Sequence, residues 1–157
     1  FNKAIKNLFI VLFSTLLISA CSTAKKAQVD TVDDVYTGTD TVEFLAKGVP
    51  DRIFFATNKT KLTTASRDTL RKQATWMRKN KDVTVTVEGH ADERGTREYN
   101  LALGERRANA AKDYLMTYGV SGKRISVISY GKERPVNPAS SPLAWSQNRR
   151  SVTVKAN

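Results

Sequence analysis

One cysteine and one histidine stand in 157 residues. A single cysteine excludes an internal disulfide and any zinc site built on several thiolates. A single histidine excludes every site that needs two. No Gly-x-Ser-x-Gly segment is present to carry a nucleophilic serine. The charge-free apolar stretch 8–18 has eleven residues, about 16 Å as a helix against a hydrocarbon core of about 30 Å. It is too short to cross a membrane unaided. Acid is scarce: Asp and Glu number 15 against 26 Lys and Arg, a net charge of +11. That balance favours an anionic partner, whether nucleic acid, a charged polymer or a membrane surface. With 40% apolar and 26% charged residues, the chain is neither wholly disordered, collagenous nor a polytopic membrane protein. At 17.5 kDa it can bury one modest core.

What is present begins with an address. Lys3 and Lys6, without an acid, precede the apolar stretch, and the small residues Ser19 and Ala20 follow it. This order predicts a secretory signal peptide over residues 1–20. Ile18-Ser19-Ala20-Cys21 resembles a bacterial lipobox. The resemblance implies cleavage before Cys21 and lipidation of Cys21, with several acyl chains giving a stable anchor. Ser22, in place of an Asp, favours the outer membrane in lipoproteins of this kind. Removing residues 1–20 takes two cations and no acid, so the mature charge falls from +11 to +9.

Residues 22–50 are rich in Thr, Asp and Ser and hold no sustained period. They are expected to be a flexible tether, extending to about 95 Å at full stretch. From residue 51 the pattern changes, so the domains read 1–20, 21–50 and 51–157. Residues 52–55 form an aromatic, β-branched strand. Thr63 or Thr64 caps a helix running to about Lys79, with Ser66, Leu70, Ala74 and Met77 inward. Residues 82–88 alternate, placing Val83, Val85 and Val87 on one covered face. Residues 97–118 form a second helix with Leu103, Ala110, Ala111, Tyr114, Leu115 and Tyr118 inward, ended by Gly119. Residues 124–129 and 150–155 are strands, and 130–147, with Pro135, Pro138 and Pro142, is loop or short turns. The fold class is α+β: a β-α-β-α-β-β order, with two main helices on one face of a mixed four-stranded sheet.

Chemistry concentrates after the alternating strand, in Glu88-Gly89-His90-Ala91-Asp92-Glu93-Arg94-Gly95. One histidine with acids at a strand end serves a metal poorly, so neither metal nor cofactor is expected. His90 is expected to fix the turn through a backbone hydrogen bond. Glu88 and Asp92 could form an acid pair, but no second feature supports glycosidase chemistry. No catalytic residue is assigned. Aromatic and basic residues do not interleave as a stacking platform requires, which disfavours nucleic acid. Arg107 lies four residues from both Leu103 and Ala111, so it points into the body of the protein. Asn100 shares its face. A buried guanidinium demands a partner. Two readings stand: an internal Asp92–Arg107 ion pair, or a pocket with one fixed anion and one fixed cation. The second complements a zwitterion, with Arg107 on a carboxylate and Asp92 on an ammonium.

The stretch EGHADERGTREYN…ERRA, with ISYGKERP and the closing WSQNRRSVTV, resembles the OmpA-like peptidoglycan-binding domain family over roughly residues 50–157. With lipobox and tether, the chain is similar to peptidoglycan-associated lipoproteins of the Tol–Pal system. The resemblance implies a non-enzymatic, outer-membrane lipoprotein with its domain in the periplasm. It implies peptidoglycan as ligand through the meso-diaminopimelate of the stem peptide, and TolB as a partner sharing or overlapping the wall-binding surface. It places the carboxylate-binding Arg on Arg107, the ammonium-binding Asp on Asp92, the contact loop on Ala56, Thr57 and Asn58, and a supporting Asn on Asn100. Asn148-Arg149-Arg150 matches a family motif without a firm role. Ala56 departs from the Asp of many members, so a contact through that carboxylate is missing. Two other classes share these residues: a periplasmic module whose main role is assembly with envelope proteins, and a cell-wall hydrolase.

Overall fold

Val85 and Val87 point one way from their strand while Thr86 and Glu88 point the other, and the apolar face decides where the helices pack. The computed structural model describes residues 34–156. The expected signal peptide 1–20, the lipidation site Cys21 and residues 22–33 lie outside the described residues. Among those described, the chain runs through β1 Phe44–Ala46, β2 Val49–Pro50, β3 Arg52–Phe54, α1 Thr64–Lys79, β4 Val85–His90, α2 Arg97–Thr117, β5 Ile125–Gly131, α3 Pro142–Asn148 and β6 Arg150–Lys155. A 3-10 turn at Gly122–Arg124 leads into β5.

The mixed sheet has the order β3-β6-β4-β5. β4 and β5 are parallel, joined through α2, and β6 is antiparallel to both β3 and β4. Strands β3, β4 and β5 therefore run in one direction and end at the same edge of the sheet, where β6 begins. That edge gathers the loops that follow three strands with the residue that precedes the fourth.

One apolar cluster fills the space between sheet and helices. Ile53, Val85, Val87 and Ile125 come from the strands, Leu70, Ala74 and Met77 from α1, and Ala108, Ala111 and Leu115 from α2. Each Val, Ile, Leu or Met among them contributes about 1.5–3 kcal/mol on full burial. Thr63 caps α1 by accepting from the Ser66 N–H at 3.1 Å, and Thr96 caps α2 by accepting from the Tyr99 N–H at 3.2 Å. At the other end of α1, Arg124 donates to the carbonyls of Met77, Asn80 and Val83, satisfying acceptors that a helix end leaves open.

The structure corrects several expectations. Residues 34–50 are not free tether: β1 and β2 form a hairpin turning at Gly48 (φ +73°), and Leu45 and Val49 are buried. Asp51 fastens the hairpin, its N–H donating to the Glu43 carbonyl at 2.9 Å and its Oδ1 accepting from the Glu43 N–H at 3.2 Å. Two buried apolar residues are too few to raise a periodic signal. Within 130–147 a third helix, α3, begins; Pro142 sits in its first turn, where a missing N–H costs nothing, and Ser141 caps it. β4 starts at Val85 and continues to His90; Val83 packs against the core from the preceding loop. On α2, Tyr118 is the exposed cap residue and Ala110 and Tyr114 are half-buried, while Gly104 and Ala108 take the inner positions.

Candidate functional site

Arg107 points inward, as its spacing requires, and is 0% exposed. Its partners are backbone carbonyls. Nη1 donates to the His90 carbonyl at 2.9 Å, Nη2 to that of Ala56 at 3.0 Å and Nε to that of Lys59 at 3.0 Å. The guanidinium carbon lies 5.2 Å from the Phe55 ring centroid. Arg107 thus clamps the loop after β3 to the end of β4. Burial, with the nearby Arg149 charge, lowers its pKa to about 10, Asp92 opposing the shift.

No hydrogen bond or ion pair joins Arg107 to Asp92, so of the two readings the internal ion pair is not formed. Asp92 follows β4 and is 7% exposed. Its Oδ1 accepts from the backbone N–H and Nε of Arg94 at 3.1 and 3.0 Å. Its Oδ2 accepts from Arg94 Nη2 at 2.7 Å and Arg149 Nη1 at 3.3 Å. The forked guanidinium on Asp92 is that of Arg94. Burial pushes the Asp92 carboxyl up, but the hydrogen bonds and charge of Arg94, with Arg149, outweigh it and hold it below its ordinary value. It is a buried carboxylate at neutral pH.

The pairing of Phe54 with Arg150 delivers Arg149 to the same place. Arg149 is buried; its Nε donates to the Phe55 carbonyl at 3.0 Å, and its Nη2 faces Asp34 Oδ2 at 3.1 Å. Thr57 completes the group. Its N–H donates to Asp34 Oδ1 at 2.9 Å and its hydroxyl to Asp34 Oδ2, while Arg94 Nη2 reaches Thr57 Oγ1 at 3.2 Å.

The other expected residues serve these. Ala56 offers its carbonyl to Arg107 and to the Lys59 N–H. Asn58 is exposed at φ +55°, a left-handed position that Asn tolerates, and its part is the turn. Asn100 is buried and donates to the Arg94 carbonyl at 2.9 Å, bracing the loop after β4. His90 departs from expectation. Its carbonyl holds Arg107, but its ring stacks on Tyr130 at 5.5 Å, Nε2 lies 3.3 Å from Glu88 Oε2, and Nδ1 is buried without a partner. Among the described residues no group of three His, Cys, Asp or Glu side chains gathers to hold a metal.

Arg94 and Asp34 join the site without having been singled out by sequence reasoning, and Arg149, matched there only as part of a motif without a firm role, joins them. Arg149 stands within the Asn-Arg-Arg motif. Arg94 stands two residues from Asp92, a spacing suited to a local hydrogen bond. Asp34 lies in a stretch with no pattern to flag it. Together the loops gather the guanidinium groups of Arg94, Arg107 and Arg149 around Asp92, with Asp34 as a second anion and Glu93 acting on Arg94. A cleft of about 600 Å³ adjoins them, lined by Asp34, Tyr36, Arg94, Leu143, Trp145 and Arg149 among others. Trp145 stacks under Arg94 at 4.3 Å and donates to Glu93 Oε1 at 2.8 Å. The arrangement suits a zwitterion: a carboxylate at Thr57 and Arg149, an ammonium at Asp92.

Residues 54–149 match the OmpA family. Over 106 residues, 68% of this chain, the sequence is 57% identical to a peptidoglycan-associated lipoprotein of Rhizobium meliloti; the match spans 60% of that relative's length. Over 150 residues it is 43% identical to the peptidoglycan-associated lipoprotein of Brucella melitensis, covering 92% of this chain and 89% of the relative. The crystal structure of the peptidoglycan-associated lipoprotein from Burkholderia pseudomallei superposes with a TM-score of 0.65 at 32% identity, covering 67% of this chain and 89% of that one.

Proposed function

This chain belongs to the OmpA family and, within it, to the peptidoglycan-associated lipoproteins, and from that footing we propose that it binds peptidoglycan non-covalently through the diaminopimelate of the stem peptide. One observation carries the reading. Asp92 is a buried carboxylate held beside a set of donors, Thr57 N–H, Thr57 Oγ1 and Arg149, that already grips a carboxylate. The D-centre of diaminopimelate presents an ammonium and a carboxylate on one carbon, and the two seats match them.

The ammonium goes to Asp92. Arg94, whose side chain is 42% exposed, swings out into solvent as the ammonium takes its place on the buried carboxylate. The carboxylate goes to Thr57 and Arg149 rather than to Arg107, on which the resemblance places it, because Arg107 has no exposed surface and is bonded to backbone carbonyls. Arg107 stays beneath, holding the Ala56–Lys59 turn in shape and adding positive potential to the floor. Ala56 contributes its backbone only. No bond is made or broken, so the protein acts as an anchor and not as an enzyme.

Lipids on Cys21 hold the other end in the outer membrane, with the domain in the periplasm. No helix among the described residues is long and apolar enough to cross a membrane. Because the wall repeats its stem peptides, weak sites on many copies add up, and a basic chain is drawn to an anionic polymer. TolB, as partner in the Tol–Pal system, would use the same or an overlapping surface, so each would weaken the other's binding.

The test is co-sedimentation of the full chain with purified peptidoglycan. Asp92→Asn keeps the shape and removes the charge; loss of a desolvated charge partner costs about 2–5 kcal/mol, which empties the pellet. An Asp92→Asn variant that folds and pellets like the original protein overturns the reading. Release of soluble muropeptides during the incubation would overturn the non-enzymatic part.

A further inference from the structure

Asp34 lies thirteen residues after Cys21, yet its side chain sits in the candidate site. Oδ1 accepts from the Thr57 N–H at 2.9 Å, Oδ2 accepts from the Thr57 hydroxyl and lies 3.1 Å from Arg149 Nη2, and the Asp34 carbonyl accepts from the same Nη2. Neighbouring residues extend the hold. Tyr36 packs edge-on against Phe54 at 4.8 Å, and Asp40 accepts from Gln147 Nε2 at 3.1 Å. The Asp34 side chain remains 54% exposed, so it covers the site from its open side.

Burial pushes the Asp34 carboxyl up, but the Thr57 hydrogen bonds and the Arg149 charge outweigh it and hold it below its ordinary value. Charge balance points the same way. Arg94, Arg107 and Arg149 outnumber the Asp92 and Glu93 carboxylates of the loop, and the Asp34 carboxylate offsets that excess.

We propose that the segment around Asp34 is an intramolecular competitor for the wall ligand, its carboxylate occupying the place that the diaminopimelate carboxylate takes on binding. This rests on the functional reading above and adds regulation to it. Exchange of one carboxylate for another leaves the charge of the seat unchanged. It also discriminates. Asp34 brings no ammonium, so Asp92 stays paired with Arg94. A zwitterion satisfies Asp92 and the Thr57–Arg149 seat together and displaces the segment, whereas a simple carboxylate gains nothing over Asp34. Seating also shortens the leash: while Asp34 is held, the chain back to Cys21 has a contour of about 45 Å, and release lengthens it towards the hairpin.

The experiment titrates the full chain in detergent with meso-diaminopimelate, by calorimetry, for the original protein, Asp34→Ala and Glu43→Gln. Glu43→Gln removes one acid from an exposed position of the same segment, away from the site. A competitor seated nine-tenths of the time weakens apparent affinity about tenfold. Asp34→Ala should therefore bind about tenfold more tightly, and Glu43→Gln like the original. Equal or weaker binding by Asp34→Ala overturns the competitor while leaving the diaminopimelate reading in place. Absence of binding by all three overturns both.

Discussion

Gly89 of β4 and Gly104 of α2 meet backbone against backbone: a Cβ placed on Gly89 would fall 1.7 Å from the Gly104 carbonyl oxygen. The contact sets the depth of α2 on the sheet. At that depth Arg107, nearly one turn further along α2, reaches the carbonyl of His90, the residue after Gly89. The clamp under the site therefore depends on two missing side chains.

Gly89→Ala must lift the helix from the strand and should cost about 3 kcal/mol or more. Gly104→Ala first meets the Ser129 hydroxyl, at 2.3 Å, and only then the Gly89 carbonyl oxygen, at 2.8 Å. The Ser129 hydroxyl can turn away at the cost of its bonds to the Leu101 carbonyl and the Gly131 N–H, and the backbone overlap is milder than at Gly89, so this variant should lose less. Urea unfolding midpoints will rank the two; an unshifted midpoint for Gly89→Ala would contradict the close approach.

Arg107→Ala removes a donor from three backbone carbonyls, of which that of Ala56 keeps the Lys59 N–H. An unsatisfied buried polar group costs about 1–3 kcal/mol, so the loss should be roughly 3–5 kcal/mol in unfolding free energy. Amide exchange adds the location: the Lys59 N–H, bonded to the Ala56 carbonyl, should lose protection before the core strands do. Retained protection at Lys59 would show that the turn holds itself.

His90 gives stability a pH slope. Burial, with the charges of Arg150, Arg52 and Arg134, lowers its pKa from 6.5 to about 3. Below pH 6.5 the unfolded chain therefore binds a proton that the folded chain refuses. Stability is full above 6.5 and falls as pH drops towards 3, by up to about 1.4 kcal/mol per unit. Asp92, lowered from 3.8, acts in the same direction but at lower pH. Between pH 6.5 and about 4.5 the slope thus belongs to His90, and His90→Phe should flatten it. An unchanged slope in that variant would assign the dependence elsewhere.

On the proposed lipidation of Cys21, Cys21→Ser should move the protein from the membrane fraction to the soluble periplasmic fraction, because it removes the site of the acyl chains. Persistence of that variant in washed membranes would mean that another segment holds it there.

Much of the fold is legible in the order of residues. The helix 64–79, with Ser66, Leu70, Ala74 and Met77 inward, follows from apolar spacing, and β6 has the bounds its alternation predicts. α2 is legible in extent but less so in its inner face, because Gly104 and Ala108 take buried positions while Ala110 and Tyr114, expected inward, are half-buried and Tyr118 is exposed. α3 is masked by Pro142 and the prolines that precede it, and the hairpin by its brevity.

The site divides along the same line. Sequence alone determined that Arg107 points inward, that Asp92 closes a strand, and that no thiol or histidine cluster competes with them, since these follow from periodicity and count. Tertiary structure alone decided what each one touches. The acceptors of Arg107 lie 17, 48 and 51 residues away, and they are carbonyls, which every residue carries and no pattern can single out. The carboxylate seated beside Thr57 comes from 23 residues upstream, brought there by the hairpin that returns the chain to the edge where the strands end.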